Sequence, residues 1–134
     1  MSATEQFFDT NILLYLFSAD HPKADRAEAK LSEGGIISAQ VLNEFASVAS
    51  RKLKMSIPEI REALTPIRVV CKVVPIVEET HDRGLQIIEQ YGLSSYDAMI
   101  VASALLAGCK TLWSEDMQHA QTLEGQLQIR NPFR

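Results

Sequence analysis

The sequence is poor in several features that would place it in a special class of protein. Six glycines and five prolines in 134 residues exclude collagen-like and low-complexity chains. A hydrophobic content of 46% is too high for an intrinsically disordered chain. The two cysteines, Cys71 and Cys109, lie among apolar residues without metal-ligand spacing, so neither a disulfide framework nor a zinc site is expected. Reduced, structural cysteines fit a reducing cytoplasm.

Positive charge and long apolar runs are scarce as well. Thirteen Lys and Arg stand against 17 Asp and Glu, and the formal net charge of −4 argues against a protein that coats phosphate backbones. The first residues lack the pattern of a signal peptide, and the longest uncharged apolar run, residues 98–109, is too short to span a bilayer. We therefore expect a cytoplasmic protein with no membrane partner, folded as one domain over residues 1–134.

Short apolar runs alternate with helix-length segments along the chain. Strands are predicted over residues 6–8, 36–38, 72–76, 110–113 and 127–129, with helices between them and a further short helix over 117–123. This alternation predicts an α/β fold of three α/β/α layers around a parallel sheet of about five strands. In such a sheet the carboxyl ends of the strands share one edge, where ligands bind.

Four acidic residues stand at the ends of predicted elements. Asp9 follows the first strand, Asp116 follows a late strand, Asp97 lies in the first turn of an apolar helix, and Glu44 lies about one turn into the helix after the second strand. Each has a structural explanation of its own: Asp9 can cap a helix, Asp97 completes a capping pattern with Ser94, Asp116 fits a turn, and Glu44 fits a solvated helix face. Singly, none of them predicts a site.

The combination of these acids is more informative. The three aspartates are expected at comparable strand-end positions, with Glu44 within a turn of the same edge. Two carboxylates about 5 Å apart repel each other by roughly 3 kcal/mol at an effective dielectric constant near 20. Oxygen-only ligand sets favour Mg²⁺ or Mn²⁺. Two such ions would offset the formal charge of −4, so that a polyanionic substrate is no longer excluded.

With these residues in order, the chain resembles the PIN-domain ribonucleases, and specifically the VapC-type toxins of type II toxin–antitoxin systems. The matching segments are Phe8-Asp9-Thr10-Asn11-Ile12-Leu13, Gln40-Val41-Leu42-Asn43-Glu44-Phe45, Ser95-Tyr96-Asp97-Ala98-Met99-Ile100 and Leu112-Trp113-Ser114-Glu115-Asp116-Met117. The final residues 129–133 also resemble the usual ending of the family. The first motif is weak by itself, whereas four motifs in this order and at this chain length are specific.

The resemblance implies a PIN-like fold and a Mg²⁺- or Mn²⁺-dependent endoribonuclease, in which metal-activated water hydrolyses RNA phosphodiester bonds. It assigns the metal-binding and catalytic roles to Asp9, Glu44, Asp97 and Asp116, and supporting roles to Asn11 and Ser114. The partners it implies are an RNA substrate, a cognate VapB-type antitoxin that inserts a segment into the acidic cleft, and a second copy of the chain in a homodimer. The chain departs from the family at Ala120, where glycine is common, which leaves the shape of the following loop open.

Two other functions compete with this one. A phosphoryl-transfer domain of receiver or haloacid-hydrolase type also places an aspartate after its first strand. It requires a lysine near the carboxyl end of a late strand, whereas Lys110 stands at the start of its strand, and the D-x-D pattern is missing. A non-catalytic PIN scaffold is the third possibility, but such a copy should have lost acids, and this chain keeps all four.

The roles of several other residues stay open at this point. The basic run of residues 51–54 fits an RNA-backbone contact and a solvated helix terminus equally well, and Tyr96 fits either a structural or a binding role. Trp113 is predicted to lie in the sheet core. His21, His81 and His119 have no mutual ligand spacing, so surface positions are expected for them.

Overall fold

A sheet of six strands forms the centre of the molecule, which a computed structural model describes for residues 2–134. The strands are β1 (Gln6–Phe8), β2 (Gly35–Ser38), β3 (Cys71–Val74), β4 (Thr111–Trp113), β5 (Thr122–Leu123) and β6 (Leu127–Arg130). Their spatial order is β3-β2-β1-β4-β6-β5, and all neighbouring pairs are parallel except β5 with β6. The predicted α/β class is confirmed, with five parallel strands and one short antiparallel strand at the edge.

Within residues 2–134, six α-helices flank this sheet. They are α1 (Thr10–Tyr15), α2 (His21–Ser32), α3 (Ala39–Arg51), α4 (Ile57–Val70), α5 (Glu78–Tyr91) and α6 (Ser95–Leu106). Helices α1 to α4 pack among themselves, whereas α5 and α6 pack against each other, and α6 also contacts β2. Within residues 2–134, no helix is both long and apolar enough to cross a membrane.

Local sequence signals explain where these helices begin. Ser56 and Glu59 form a reciprocal capping box at the start of α4: the Ser56 hydroxyl accepts from the Glu59 amide, and the Glu59 carboxylate accepts from the Ser56 amide over 2.8 Å. Ser38 and Ser94 cap α3 and α6 in the simpler way, through one hydroxyl and a backbone N–H in the first turn. The start of α6 agrees with the capping pattern that the sequence shows at Ser94.

The apolar helix α6 lies in the core, as its composition predicts. Nearly all residues from Ala98 to Leu105 are buried. Helix α5 approaches it closely at Gly84, where an added Cβ would fall 2.5 Å from the Met99 methyl carbon. A glycine at this position therefore sets the distance between the two helices. On α5, Leu85 is 46% exposed, while Ile87 is fully buried.

The segment between β4 and β6 differs from the prediction. The expected helix over 117–123 is wrong: bends, a turn and irregular backbone occupy residues 117–121, and β5 takes up the rest of the segment. The hairpin between β5 and β6 turns through Glu124 and Gly125, both with positive φ (53° and 65°), and the Gln126 amide closes the turn on the Leu123 carbonyl at 3.1 Å. Ala120 is also left-handed, with φ 70°, at the position where the family commonly has glycine.

Candidate active site

Asp9 lies at the carboxyl end of the central strand β1 and caps helix α1. Its side chain is only 5% exposed and is held by three donors. The Thr10 amide donates to Oδ1 over 2.7 Å, the Ser114 hydroxyl donates to Oδ2 over 2.8 Å, and the Asn11 carboxamide donates to Oδ2 over 3.3 Å. The capping role weighed from the sequence is therefore real, but it uses only one of the two carboxylate oxygens.

The four predicted acids lie within electrostatic range of one another. Burial raises the pKa of Asp9 to about 7; its hydrogen bonds oppose this shift, and the charges of Asp97 and Glu44 add to it. Burial likewise raises the pKa of Glu44, with contributions from Asp97 and Asp116, and it raises the pKa of Asp97, with a contribution from Asp116. Carboxylates carried by four separate segments of the chain thus face a common region.

Asn11 joins two of these segments. Its Nδ2 donates to Asp116 Oδ2 over 3.0 Å as well as to Asp9, and its Oδ1 accepts from the Glu115 amide over 3.3 Å. Ser114 is fully buried, and besides donating to Asp9 it accepts from the Met117 amide over 3.3 Å. Both residues that the resemblance placed in support of Asp9 therefore touch it directly.

Glu44 is half-buried, one turn into α3, and not on a freely solvated face as its position in the helix alone would indicate. The nearby Thr10 hydroxyl is buried and has no partner of good hydrogen-bond geometry. It is nevertheless close enough to the Glu44 carboxylate to lower the pKa of that group against the larger effect of burial. The site thus contains a buried hydroxyl with free hydrogen-bonding capacity beside two acids.

The structural element that positions Asp97 at the site differs from the one predicted. The expectation of three strand-end aspartates is wrong for Asp97, because α6 follows α5 directly and no strand precedes it. The start of α6 is instead tied to the start of α3, where Gln40 Nε2 donates to the Tyr96 carbonyl over 3.2 Å. Packing of helices, more than the shared edge of the sheet, brings this fourth carboxylate to the others.

The donor set suits a hard divalent cation. Four carboxylates and a spare hydroxyl offer only oxygen ligands, the kind that Mg²⁺ and Mn²⁺ prefer. Within residues 2–134, no three His, Cys, Asp or Glu side chains already form a compact metal-binding group. The four carboxylates therefore suit such an ion, because they offer oxygen ligands and lie within electrostatic range of one another. To bind the ion together, their side chains must move closer to one another.

An open groove of about 800 Å³ begins at Glu44 and runs beside α3. Its lining includes the Tyr96 ring, which is 60% exposed, and the cationic end of Arg51. Arg51 Nε donates to Ser47 Oγ over 3.3 Å, one turn back along the helix. This groove is larger than the one that borders Asp116.

A second groove, of about 340 Å³, begins at Asp116 and Asn11. Lys52 contributes to its lining, and Val48 of α3 lines both grooves. The basic run predicted from the sequence is therefore divided, since Arg51 faces one groove and Lys52 faces the other. Of the four acids, Glu44 thus borders the first groove and Asp116 borders the second.

A polar cluster beside the site was not predicted. The Tyr15 hydroxyl donates to Glu115, Lys23 Nζ lies 2.8 Å from the other Glu115 carboxylate oxygen, and the Phe133 ring packs edge-on against Tyr15 at 4.7 Å. Burial alone would raise the pKa of Glu115, but the hydrogen bonds from Lys23 and Tyr15 bring it below its usual range. No signal in the sequence connects Lys23 with Glu115, because they meet only through the fold.

Trp113 and His119 each form a hydrogen bond that fixes the side chain. Trp113 is buried, as predicted, and its indole N–H donates to Gln6 Oε1 over 2.9 Å. His119 is half-buried, and its Nδ1 accepts from the Asn131 amide over 2.9 Å, so it fastens the turn after β4 to the end of the chain.

Comparison with known proteins identifies the family. The PIN domain matches residues 7–123, which is most of the chain and includes all four acids. The chain belongs to the PIN domain family. Ribonuclease VapC7 of Mycobacterium tuberculosis is 31% identical over 115 residues, covering 81% of this chain and 79% of that protein. The predicted resemblance to the VapC-type toxins is thereby confirmed.

Solved structures agree with this PIN fold. A toxin–antitoxin complex from Klebsiella pneumoniae matches with a TM-score of 0.72 and 22% identity over 96% of this chain and 98% of that one. VapC20 of Mycobacterium tuberculosis, described as a sarcin–ricin loop cleaving toxin, matches with a TM-score of 0.68 and 17% identity, covering 84% and 90% of the two chains. The competing receiver or haloacid-hydrolase fold has no support, since Lys110 precedes β4 and pairs with Glu5 at 3.8 Å.

Proposed function

We propose that this PIN-domain chain is a Mg²⁺- or Mn²⁺-dependent endoribonuclease that acts as the toxin of a toxin–antitoxin pair in the cytoplasm. The observation that carries the proposal is the buried Asp9 carboxylate, with its pKa near 7, within range of Glu44 and Asp97. The capping of helix α1 by Asp9 does not by itself require further acids around Asp9. The ribonuclease name of the VapC7 relative and the toxin–antitoxin structure add support.

In this proposal the carboxylates of Asp9, Glu44, Asp97 and Asp116 would hold the ion. When bound, the ion supplies activation of water and stabilisation of the charge that develops on phosphorus and on the leaving oxygen. Asn11 and Ser114 occupy the outer lone pairs of Asp9, which fixes the direction in which its free electron pairs point.

A covalent route through cysteine has no support. Both thiols are buried, and burial raises the pKa of Cys71 to about 11 and that of Cys109 to about 12. Such thiols stay protonated at neutral pH and are poor nucleophiles. The proposed reaction therefore transfers the phosphoryl group directly to water.

Protein partners are also part of the proposal. A group of carboxylates, two of which border open grooves, favours an inserted arginine, which is how we expect a VapB-type antitoxin to silence the site. Exposed apolar side chains provide further contact surface for an antitoxin and for a second copy of the chain. Examples are Phe17, Leu53, Ile57 and Val69.

The experiment is cleavage of total RNA by purified protein, with the new ends mapped by sequencing. We expect cleavage with Mg²⁺ or Mn²⁺, none with EDTA, and a loss of at least about 100-fold in Asp97→Asn because a metal ligand is removed. Asp82→Asn, an exposed acid on α5, is the matched control and should cleave normally. Undiminished cleavage in EDTA would refute the metal mechanism, and a folded protein that cleaves nothing with either metal would favour the non-catalytic scaffold.

A further inference from the structure

The exposed ring of Tyr96 stands directly before Asp97 in the chain and opens onto the larger groove. The backbone of Tyr96 is engaged, since its carbonyl accepts from Gln40, but 60% of the residue is accessible. In the part of the chain that the structure describes, its hydroxyl makes no hydrogen bond within the protein, and its ring takes part in no aromatic pair. The core therefore does not explain an aromatic residue at this position.

The groove combines three kinds of recognition group. Tyr96 offers an aromatic face, Asn43 offers an exposed carboxamide, and Arg51 offers a guanidinium of which only one N–H is engaged, by Ser47. A guanidinium has five N–H donors, so most of this one is free to bind an anion. An aromatic face, an amide and a cation suit, respectively, the ring, the edge and the phosphate of a nucleotide.

The small number of charges in this groove favours recognition of RNA by stacking of a base over attraction of several phosphates. Arg51 is the one cation in the lining of this groove, and Glu44 is an anion at its inner end. A surface that holds double-stranded RNA contacts backbone phosphates across successive grooves of the helix, which needs several cations. A base inside a duplex is also covered on both faces. An unpaired base, by contrast, can lay one free face on Tyr96.

We infer that this groove is a subsite for the nucleotide next to the cleaved bond, which it binds unpaired with its base stacked on Tyr96. The inference rests on the proposed function, because the acids at the inner end of the groove define where the bond is cut. The volume, about 800 Å³, is in the usual range for sites that enclose a small organic group. Tyr96 is then a specificity residue, and Asn43 and Arg51 contact the edge and the phosphate of the same nucleotide.

The test compares Tyr96→Ala, Tyr96→Phe and Tyr96→Trp with Leu106→Ala, which removes an exposed apolar side chain at the opposite end of the same helix. Binding of a fluorescent, unstructured oligoribonucleotide is measured by anisotropy in Ca²⁺, and the same strand annealed to its complement serves as the duplex probe. Cleavage of the single strand in Mn²⁺ gives kcat and KM. Thermal melting verifies that each variant is folded.

Loss of one stacked base is worth about 1–3 kcal/mol, so Tyr96→Ala should weaken single-strand binding about 5- to 150-fold and raise KM with kcat nearly unchanged. Tyr96→Phe, Tyr96→Trp and Leu106→Ala should bind like the parent, and the duplex should bind more weakly than the single strand. If Tyr96→Ala binds normally, if Tyr96→Phe fails as badly as Tyr96→Ala, or if the duplex binds as tightly, the subsite is refuted.

This experiment distinguishes a failure of the proposed subsite from a failure of the proposed nuclease function. A parent protein that binds the single strand through Tyr96 but never cleaves it with Mg²⁺ or Mn²⁺ keeps the subsite and refutes the nuclease. Cleavage with a normal KM in Tyr96→Ala keeps the nuclease and refutes the subsite. A groove that instead binds a segment of a protein partner gives a parent that ignores the oligoribonucleotide, which also refutes the subsite.

Discussion

Asn11 donates to Asp116 across 3.0 Å although 105 residues separate them in the chain. The same carboxamide reaches Asp9 and accepts from the Glu115 amide, so one side chain sets the spacing of two acids. We expect Asn11→Ala to lower cleavage about 10- to 100-fold and to raise the Mn²⁺ concentration needed for half-maximal activity, because outer groups orient the ligands of a metal. Gln86→Ala on the exposed side of α5 is the control and should have neither effect.

The pKa of Asp9 predicts how the protein responds to pH. A cation binds the ionised carboxylate, so Mn²⁺ affinity measured by calorimetry should rise steeply as the pH increases through about 7. Affinity that is flat between pH 5.5 and 8 would contradict the assignment of Asp9 as a ligand.

Without a metal, the raised pKa of Asp9 makes the folded protein less stable as the pH increases. A carboxyl group whose pKa is raised by folding stabilises the folded chain while it is protonated, fully below about pH 4 and progressively less as the pH rises toward 7. Glu44 and Asp97 shift in the same direction. The melting temperature in EDTA should therefore fall between pH 4 and 7, and Asp9→Asn should flatten that slope. A stability that instead rises over this range would show that other groups dominate.

Removing one charge from the acid group should stabilise the metal-free protein. In Asp97→Asn the Ser94 hydroxyl still accepts from the backbone amide of residue 97, so the cap of α6 is kept while repulsion from Asp116 is lost. We expect a melting temperature in EDTA a few degrees above that of the parent and a smaller increase on adding Mn²⁺. A lower melting temperature would favour a purely structural, capping role for this carboxylate.

The contacts of Glu115 predict a variant that affects activity without touching the proposed ligands. Glu115→Gln keeps the size of the side chain but weakens its bonds with Tyr15 and Lys23, which hold the loop between Ser114 and Asp116. Activity should fall several-fold through kcat, and Tyr15→Phe should fall in the same direction. The exposed pair Lys110–Glu5 offers the control, since Lys110→Gln should leave the kinetics unchanged.

Ala120 predicts a stabilising substitution. It has φ 70°, a left-handed conformation that costs a residue with a side chain about 1–2 kcal/mol and that glycine adopts freely. Ala120→Gly should therefore raise the free energy of unfolding by about 1 kcal/mol in a urea titration. Ala46→Gly, inside α3, should lower it by a similar amount. A loss of stability in Ala120→Gly would mean that the alanine methyl makes a contact that matters more than the backbone strain.

The sequence was most informative where a local pattern decides the structure. The capping residue Ser94 indicated the start of α6, and the apolar run in α6 indicated a buried helix, because these signals act over one or two turns. The helix predicted over 117–123 is wrong because the structure of this segment is set by a tight turn and by pairing with β6, neither of which produces a periodic pattern in the sequence.

Contacts between residues far apart in the chain could not be predicted by the same reasoning. Four acids could be selected from the sequence, but the route of Asp97 to the site depends on how α6 packs, and the pairing of Lys23 with Glu115 depends on which loop faces α2. Neither the packing of α6 nor this ion pair produces a periodic or local pattern in the sequence. The exposure of Tyr96, on which the proposed subsite depends, likewise emerged only with the fold.

The order of the acids along the chain has a consequence for the cell that makes the protein. Asp9 is synthesised long before Asp116 and the β6 strand that pairs with β4 beside it. A working active site therefore cannot assemble until Asp116 and β6 have been made. If the proposed activity is correct, the nascent chain is harmless to the translation machinery up to that point, which leaves time for an antitoxin to meet it.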